Sequence, residues 1–203
     1  MAPPRCANCD QEGSLLCSFC WQEVELSYLP PKLKLPELFL DQVQTLCRYQ
    51  PPISSLIRAM KYQSVKAVCD LVGMMLYYGL DFPPVDLVSW VPTSPGRIKK
   101  RGFNQAELIA RQFARAAKLP CRPLLVKVKA TQSQAGIKDR ALRALAQEGG
   151  FGVKEASSAV KNKNILLVDD VITTGATLNQ CAKVLKKAGA QTISAVCLAH
   201  ESS

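Results

Sequence analysis

The chain has a single histidine among its 203 residues, His200, placed near the C-terminus. No Ser-His-Asp or Cys-His arrangement can be built around it, so it reads as incidental and triad hydrolysis is set aside. Long apolar runs are also missing. The nearest, Leu71 to Leu80, is too short to span a bilayer and ends beside Asp81. Met1-Ala2-Pro3-Pro4-Arg5 lacks the apolar core of a secretion signal, which leads to the expectation of a cytoplasmic protein. Internal repeats and low-complexity segments are absent too. The nine cysteines are an odd number, and with no secretion signal they speak against a disulfide framework and for metal binding or buried thiols.

A hydrophobic fraction of 48% and a charged fraction of 21% suit a soluble globular protein of one ordinary domain plus a small appendage. The formal charge of +10 is unevenly spread. Between Arg97 and Arg143 stand thirteen Lys or Arg against Glu107 and Asp139, while the first fifty residues carry four bases and six acids. Clustered positive charge favours anionic partners such as pyrophosphate or nucleic acid, although in the helical part of the stretch solubility is the plainer account.

Residues 1–27 read as a cysteine-rich unit, 28–50 as a linker and connecting segment, and 51–203 as the main domain. An apolar helical pattern from Ser54 to Tyr78 carries a break near Gln63-Ser64, which predicts two helices. Asp86 to Val91 reads as a strand, Arg97 to Gly102 as a basic loop, and Asn104 to Lys118 as an amphipathic helix. Leu124 to Val128 reads as a short strand, Lys129 to Gly136 as polar chain, and Lys138 to Gln147 as a weaker helix. Ile165 to Val168, Ala176 to Ala188 and Thr192 to Leu198 complete a strand, a helix and a strand. Such alternation predicts a parallel α/β sheet covered on both faces, with ligands beyond the carboxyl ends of its strands.

The richest stretch follows Ile165-Leu166-Leu167-Val168. Asp169 and Asp170 are expected to end that strand at a solvent-facing edge. Val171, Ile172, Thr173, Thr174, Gly175, Ala176 and Thr177 then turn into a helix. Loop amides and a helix N-terminus can hold a phosphate dianion, threonine hydroxyls add donors, and Gly175 admits close backbone approach. The two carboxylates can accept from vicinal sugar hydroxyls. Upstream, the run containing Arg97, Lys99, Lys100, Arg101 and Gly102 can hold pyrophosphate by charge and exposed amides.

Cys6-x-x-Cys9 and Cys17-x-x-Cys20, seven residues apart, can fold back into a tetrahedral four-thiolate site of the kind zinc prefers. With four protein ligands the metal would be structural. Phe19 and Trp21 border this unit; they can stack on bases, but packing against the knuckle is the favoured reading. Cys47, Cys69, Cys121, Cys181 and Cys197 are isolated, and most read as small buried apolar residues.

The acid pair followed by Thr-Thr-Gly-x-Thr resembles the phosphoribosyl-pyrophosphate (PRPP) loop of type I phosphoribosyltransferases. A narrower resemblance covers nearly the whole chain. Met60-Lys61-Tyr62, Arg101-Gly102-Phe103-Asn104-Gln105-Ala106, Gln134-Ala135-Gly136, the PRPP-type loop and the four-cysteine N-terminus are similar to the ComF/GntX family. The chain departs from that family at Ile137-Lys138-Asp139-Arg140. The resemblance implies a type I phosphoribosyltransferase-like domain with an N-terminal zinc finger, PRPP or a related ribose phosphate as ligand, and Mg²⁺ bridging its oxygens. It also implies a role in natural competence: handling incoming single-stranded DNA, with competence-machinery proteins as partners. Lys61, Phe103, Asn104, Gln105, Gln134 and Arg140 are then candidates for acceptor or loop contacts. If chemistry occurs, a nucleophile displaces pyrophosphate at the anomeric carbon. Asp169 and Asp170 would stabilise the charge developing there. The alternative is an active phosphoribosyltransferase of nucleotide metabolism with an unknown acceptor.

Overall fold

A computed structural model describes residues 3–27, 33, 35–63, 65–128, 150–154 and 157–201. The central sheet has four parallel strands in the order β1-β6-β5-β2. These are β1 (Gln42–Arg48), β2 (Leu87–Trp90), β5 (Asn164–Ile172) and β6 (Thr192–His200). In register, Trp90 lies opposite Val168 and Asp169 opposite Cys197. Beyond β2 the sheet gains one parallel bridge, between Val88 and Cys121.

Six α-helices occur among the described residues: α1 (Ser18–Gln22), α2 (Ile53–Tyr62), α3 (Lys66–Gly79), α4 (Pro95–Arg101), α5 (Gln105–Ala117) and α6 (Ala176–Lys187). The period of two along β5 divides the core. Leu166 and Val168 join the cluster built with α2, α3 and α5, while Ile165 and Leu167 join the cluster built with α6. Leu166 and Leu167 are both fully buried, so this strand is apolar on both sides, as a parallel strand between two helical layers must be. The helices obey the 3.6-residue period: Ile109 and Phe113 of α5, and Cys181 and Leu185 of α6, are fully buried, whereas Arg111, Arg115 and Lys187 are exposed.

Four expectations change. The basic run is not a loop: Pro95 at the first turn starts α4, and Gly102, with φ of 83°, stops it. Its amides therefore serve the helix, with Ile98 donating to the Ser94 carbonyl at 3.1 Å and Gly102 to the Ile98 carbonyl at 2.7 Å. The strand near Leu124 is β3 (Leu125–Lys127), which pairs antiparallel with β4 (Phe151–Val153) outside the central sheet. β5 does not end at the acids but runs through them to Ile172, because β6 keeps pairing with it as far as His200. Finally, the stretch from Leu38 to Tyr49, expected as short strand or irregular chain leading into the main domain, holds β1, which joins the main sheet beside β6. The predicted break near Gln63 does divide α2 from α3. The weaker helix over 138–147, with Gln134 and Arg140, lies outside the described residues.

The N-terminal unit is stitched to β1. The Ser27 amide donates to the Leu46 carbonyl at 2.8 Å, the Arg48 amide to the Glu25 carbonyl at 3.1 Å, and the Ser55 hydroxyl to Asn8 Oδ1 at 2.9 Å. Among the described residues no helix is long and apolar enough to cross a membrane.

Candidate functional site

Asp169 and Asp170 sit at the carboxyl edge of the sheet, where β2 has ended and β5 continues, the edge at which sheets of this kind form their ligand crevice. Because successive strand residues alternate, the two carboxylates leave on opposite faces. Asp170 takes the α2 side, where Lys61 Nζ lies 2.9 Å from its Oδ2, and both side chains are largely covered. Asp169 takes the α6 side; its Oδ1 accepts from the Asp170 amide at 2.9 Å. Desolvation, with the neighbouring Asp170 charge, pushes the Asp169 carboxyl up to about 8, against a weaker pull from the Asp170 amide and then from Lys61 and Lys127. The expected solvent-facing strand end does not hold for Asp170, which is only 8% exposed, since the strand carries it on into the interior; Asp169 is half-buried.

The chain from Thr173 turns into α6 through Gly175, whose φ of 78° suits glycine and whose α-face is covered by the Leu33 side chain. The Ala176 amide donates to Thr174 Oγ1 at 3.3 Å and the Asn179 amide to the Gly175 carbonyl at 2.9 Å. That leaves the Thr177 and Leu178 amides as the free donors of the first turn, at the positive end of a twelve-residue helix. Such a turn can receive a dianion.

The opposite wall of the crevice comes from the α4–α5 corner. Asn104 caps α5 by accepting from the Ala106 amide at 3.2 Å, and its Nδ2 donates to the Val91 carbonyl at 3.1 Å, pinning the helix start to the end of β2. Phe103, Asn104 and Gln105 are all buried. The Arg101 guanidinium lies 5.6 Å from the ring centre of the exposed Tyr62, and Lys66 Nζ lies 5.6 Å from that of Phe103. Arg101 Nη1 donates to Gln105 Oε1 at 3.3 Å, while Gln105 Nε2 is buried without a partner among the described residues. Arg97, Lys99 and Lys100 are exposed on α4.

The structure thus brings Lys61, Arg101, Phe103, Asn104, Gln105 and Asp170 to one edge. Sequence reasoning left Tyr62 and Lys127 out of the site. The Lys61-Tyr62 dipeptide signalled the first; nothing in the sequence signalled the second, which reaches Asp169 only through the β3–β4 pair. Arg111, expected with Glu107 and Arg115 on one polar face at i,i+4 spacing, is held by Glu107 at 2.8 Å and also lies 5.2 Å from the Trp90 ring centre.

At the N-terminus, Cys6, Cys9, Cys17 and Cys20 bring their sulfur atoms within 4.8 Å of one another. A tetrahedral zinc at 2.3 Å from each thiolate needs sulfur separations of about 3.8 Å. Cys9 and Cys17 stand at 3.6 Å. The Cys17 amide donates to Cys6 Sγ, the Cys20 amide to Cys17 Sγ and Asn8 Nδ2 to Cys20 Sγ, each at 3.5 Å. Donors of this kind stabilise metal-bound thiolates. Burial opposes ionisation of Cys6, yet amides from Cys17, Cys9 and Asn8 bring it down to about 6. The donor set fits zinc, and its four sulfurs leave no open position for catalysis.

Phe19 and Trp21 do not pack against this unit as expected: they are 67% and 42% exposed, because α1 is a short helix whose one buried residue is Cys20. Cys47, Cys69, Cys181 and Cys197 are fully buried and their thiols are pushed up, first by desolvation. His200 Nδ1 lies 2.9 Å from the Thr45 hydroxyl, a link between neighbouring strands.

The family model described as Phosphoribosyl transferase domain matches residues 98–203. Competence protein F of Haemophilus influenzae is 29% identical over 94% of this chain and 82% of that protein. DNA utilization protein YhgH of Escherichia coli O6:H1 is 28% identical over 95% of this chain and 87% of that protein. Competence protein ComFC of Streptococcus pneumoniae is 40% identical over 51% of this chain and 43% of its own length. The resemblance to ComF/GntX read from the motifs is borne out by these relatives, and the type I phosphoribosyltransferase-like fold by the matched domain.

Proposed function

We propose, for a chain that belongs to the phosphoribosyl transferase domain family, that the crevice binds PRPP or a related ribose phosphate with Mg²⁺. The observation that carries this reading is the order of parts along one stretch: a buried strand, two carboxylates, a Gly175 turn and the free first-turn amides of α6. In this reading the 5-phosphate lies on Thr173 to Thr177, and Asp169 and Asp170 meet the ribose hydroxyls. Arg97, Lys99, Lys100 and Arg101 supply charge for the pyrophosphate from an α-helical surface rather than a loop of free amides. Mg²⁺ would be held chiefly by the oxygens of the ligand's pyrophosphate, with few ligands from the protein.

The wider role is in competence and DNA utilization, as the relatives' names say of those proteins. Handling of single-stranded DNA is supported by the basic stretch from Arg97 and by the exposed rings of Phe19, Trp21 and Tyr62. Such binding is weakly sequence-dependent and weakens as salt rises. Retention of the full acid pair also favours pyrophosphate displacement with an unknown acceptor.

Calorimetry with PRPP and Mg²⁺ tests the core of the reading. Asp169→Asn with Asp170→Asn keeps the shape of both side chains, removes the Asp170 charge and turns one oxygen of each carboxyl into an amide donor. Affinity should fall at least about tenfold, the scale of one or two charge-assisted hydrogen bonds. An unchanged affinity would give the loop another ligand.

A further inference from the structure

We propose that Lys61 is a positioning residue of the acid-pair site, whose ammonium supplies to Asp170 the positive charge that a divalent cation would otherwise supply. The proposal deepens the ribose-phosphate reading and rests on it. Its basis is a contact that closes over 109 residues of chain: Lys61 Nζ, at the end of α2, lies 2.9 Å from Asp170 Oδ2. Both side chains are mostly withdrawn from water, 22% and 12% exposed, so the pair is more than a surface ion pair. Lys61 sits in the last turn of α2, where the helix carbonyls also favour a cation.

The consequence follows from counting charge at the crevice. Asp170 is an anion already matched by an ammonium. Asp169 leaves on the other face, and its surroundings disfavour its charged form. The pair therefore presents little net negative charge to a free Mg²⁺, although two adjacent aspartates suggest a cation site from sequence alone. One oxygen of Asp170, Oδ1, remains for a hydroxyl donor, and Lys61 fixes the plane in which it lies. Ribose recognition at this carboxylate then needs Lys61 and no directly bound metal. Mg²⁺ is left to the pyrophosphate, where a ligand brings its own oxygens.

Ribose 5-phosphate, which lacks pyrophosphate, separates the two demands. Wild-type protein should bind it with the same affinity with and without Mg²⁺. Lys61→Met should bind it about tenfold more weakly without Mg²⁺ and recover part of that loss when Mg²⁺ is added. Lys61→Arg should restore metal-independent binding, since the guanidinium keeps the charge. A second readout needs no sugar. Titrated with Mn²⁺ alone, Lys61→Met should gain a cation site that wild type lacks, and adding Asp170→Asn should abolish it. The proposal is overturned if wild type requires Mg²⁺ for ribose 5-phosphate as strongly as Lys61→Met does. It is also overturned if the Mn²⁺ affinity of Lys61→Met equals that of wild type. Should wild type bind neither PRPP nor ribose 5-phosphate, the ribose-phosphate reading falls, and the Mn²⁺ comparison still decides the role of Lys61.

Discussion

The four-cysteine unit and the acid-pair crevice are assembled over different distances. The knuckle closes within fifteen residues, from Cys6 to Cys20, and its hydrogen bonds to sulfur join residues at most twelve apart. The crevice draws Lys61 from α2, Asn104 and Gln105 from α5, and Asp169 to Thr177 from β5 and its turn. A locally closed site depends on its metal and little else. A site collected from distant elements depends on the sheet that collects it, and on local strain and desolvation that the sheet sustains. This difference sets how hard each region is to break.

The largest effect should come from the knuckle. Purified protein should carry about one zinc per chain, and Cys17→Ser with Cys20→Ser should lose it, with local unfolding of residues 3–27, because small metal units owe their fold to the ion. Metal analysis together with hydrogen exchange measures both. The β5 amides should stay protected, since the unit meets the main body at β1 and the start of α2, through Ser27 to Leu46, Arg48 to Glu25 and Ser55 to Asn8, and touches no part of β5's pairing with β2 and β6. Zinc retained in that double variant would defeat the assignment.

The same contrast explains what could be read beforehand. Paired Cys-x-x-Cys spacing is a local signal and was legible, as were β5, α6 and the turn between them, which form one continuous pattern. The two helices around Gln63 were legible because apolar period and break agree. The environment of each carboxylate was not, because it depends on which face of β5 each leaves. Extending the strand to Ile172 is a decision made by β6, whose pairing no local pattern announces. The α4 helix was missed because four basic residues in a row of seven look like a solvated loop, while Pro95 and Gly102 are helix punctuation. Lys61 was suspected only through the family resemblance; its partner, Asp170, is a tertiary fact.

Next in size is Gly175→Ala. At φ of 78° an alanine pays about 1–2 kcal/mol in backbone strain. Its Cβ would also stand 2.8 Å from Leu33 Cδ2, a flexible chain end that can rotate away. Denaturant unfolding should therefore show a loss close to the backbone cost alone, while PRPP affinity falls much further, because the turn itself is deformed. Zinc content should not change. An equal loss in stability and affinity would mean that the turn is only a structural corner.

A subtler test uses Asp169, whose carboxyl is held up at about 8. An unfolded aspartate titrates near 4, so between these values the folded chain keeps a proton that the unfolded chain releases. Stability conferred by this group is thus full below about 4 and declines as pH rises towards 8. Asp169→Asn removes the titration and keeps the acceptor for the Asp170 amide. Thermal unfolding of wild type and variant should coincide near pH 4 to 5, and the variant should become progressively the more stable of the two up to pH 8. A gap that stays constant with pH would mean that Asp169 is ionised and solvated throughout.

The smallest expected effect concerns Gln105, where the crevice differs most from the knuckle in how it uses donors. In the knuckle the Cys17 and Cys20 amides and the Asn8 amide group all reach sulfur. In the crevice, Gln105 Nε2 is buried with no acceptor among the described residues, while its Oε1 accepts one long bond from Arg101 at 3.3 Å. An unmatched buried donor costs about 1–3 kcal/mol, and a long bond to a partly exposed guanidinium returns less than about 1 kcal/mol. Gln105→Met has nearly the same length and neither group. The balance predicts a gain of about 1 kcal/mol, a rise in Tm of about 2–4 °C for a chain of this size. Calorimetric melting measures it directly. A fall in Tm would show that Nε2 is satisfied in solution, by a buried water making its two or three bonds there, and the crevice would then be as fully paired as the knuckle.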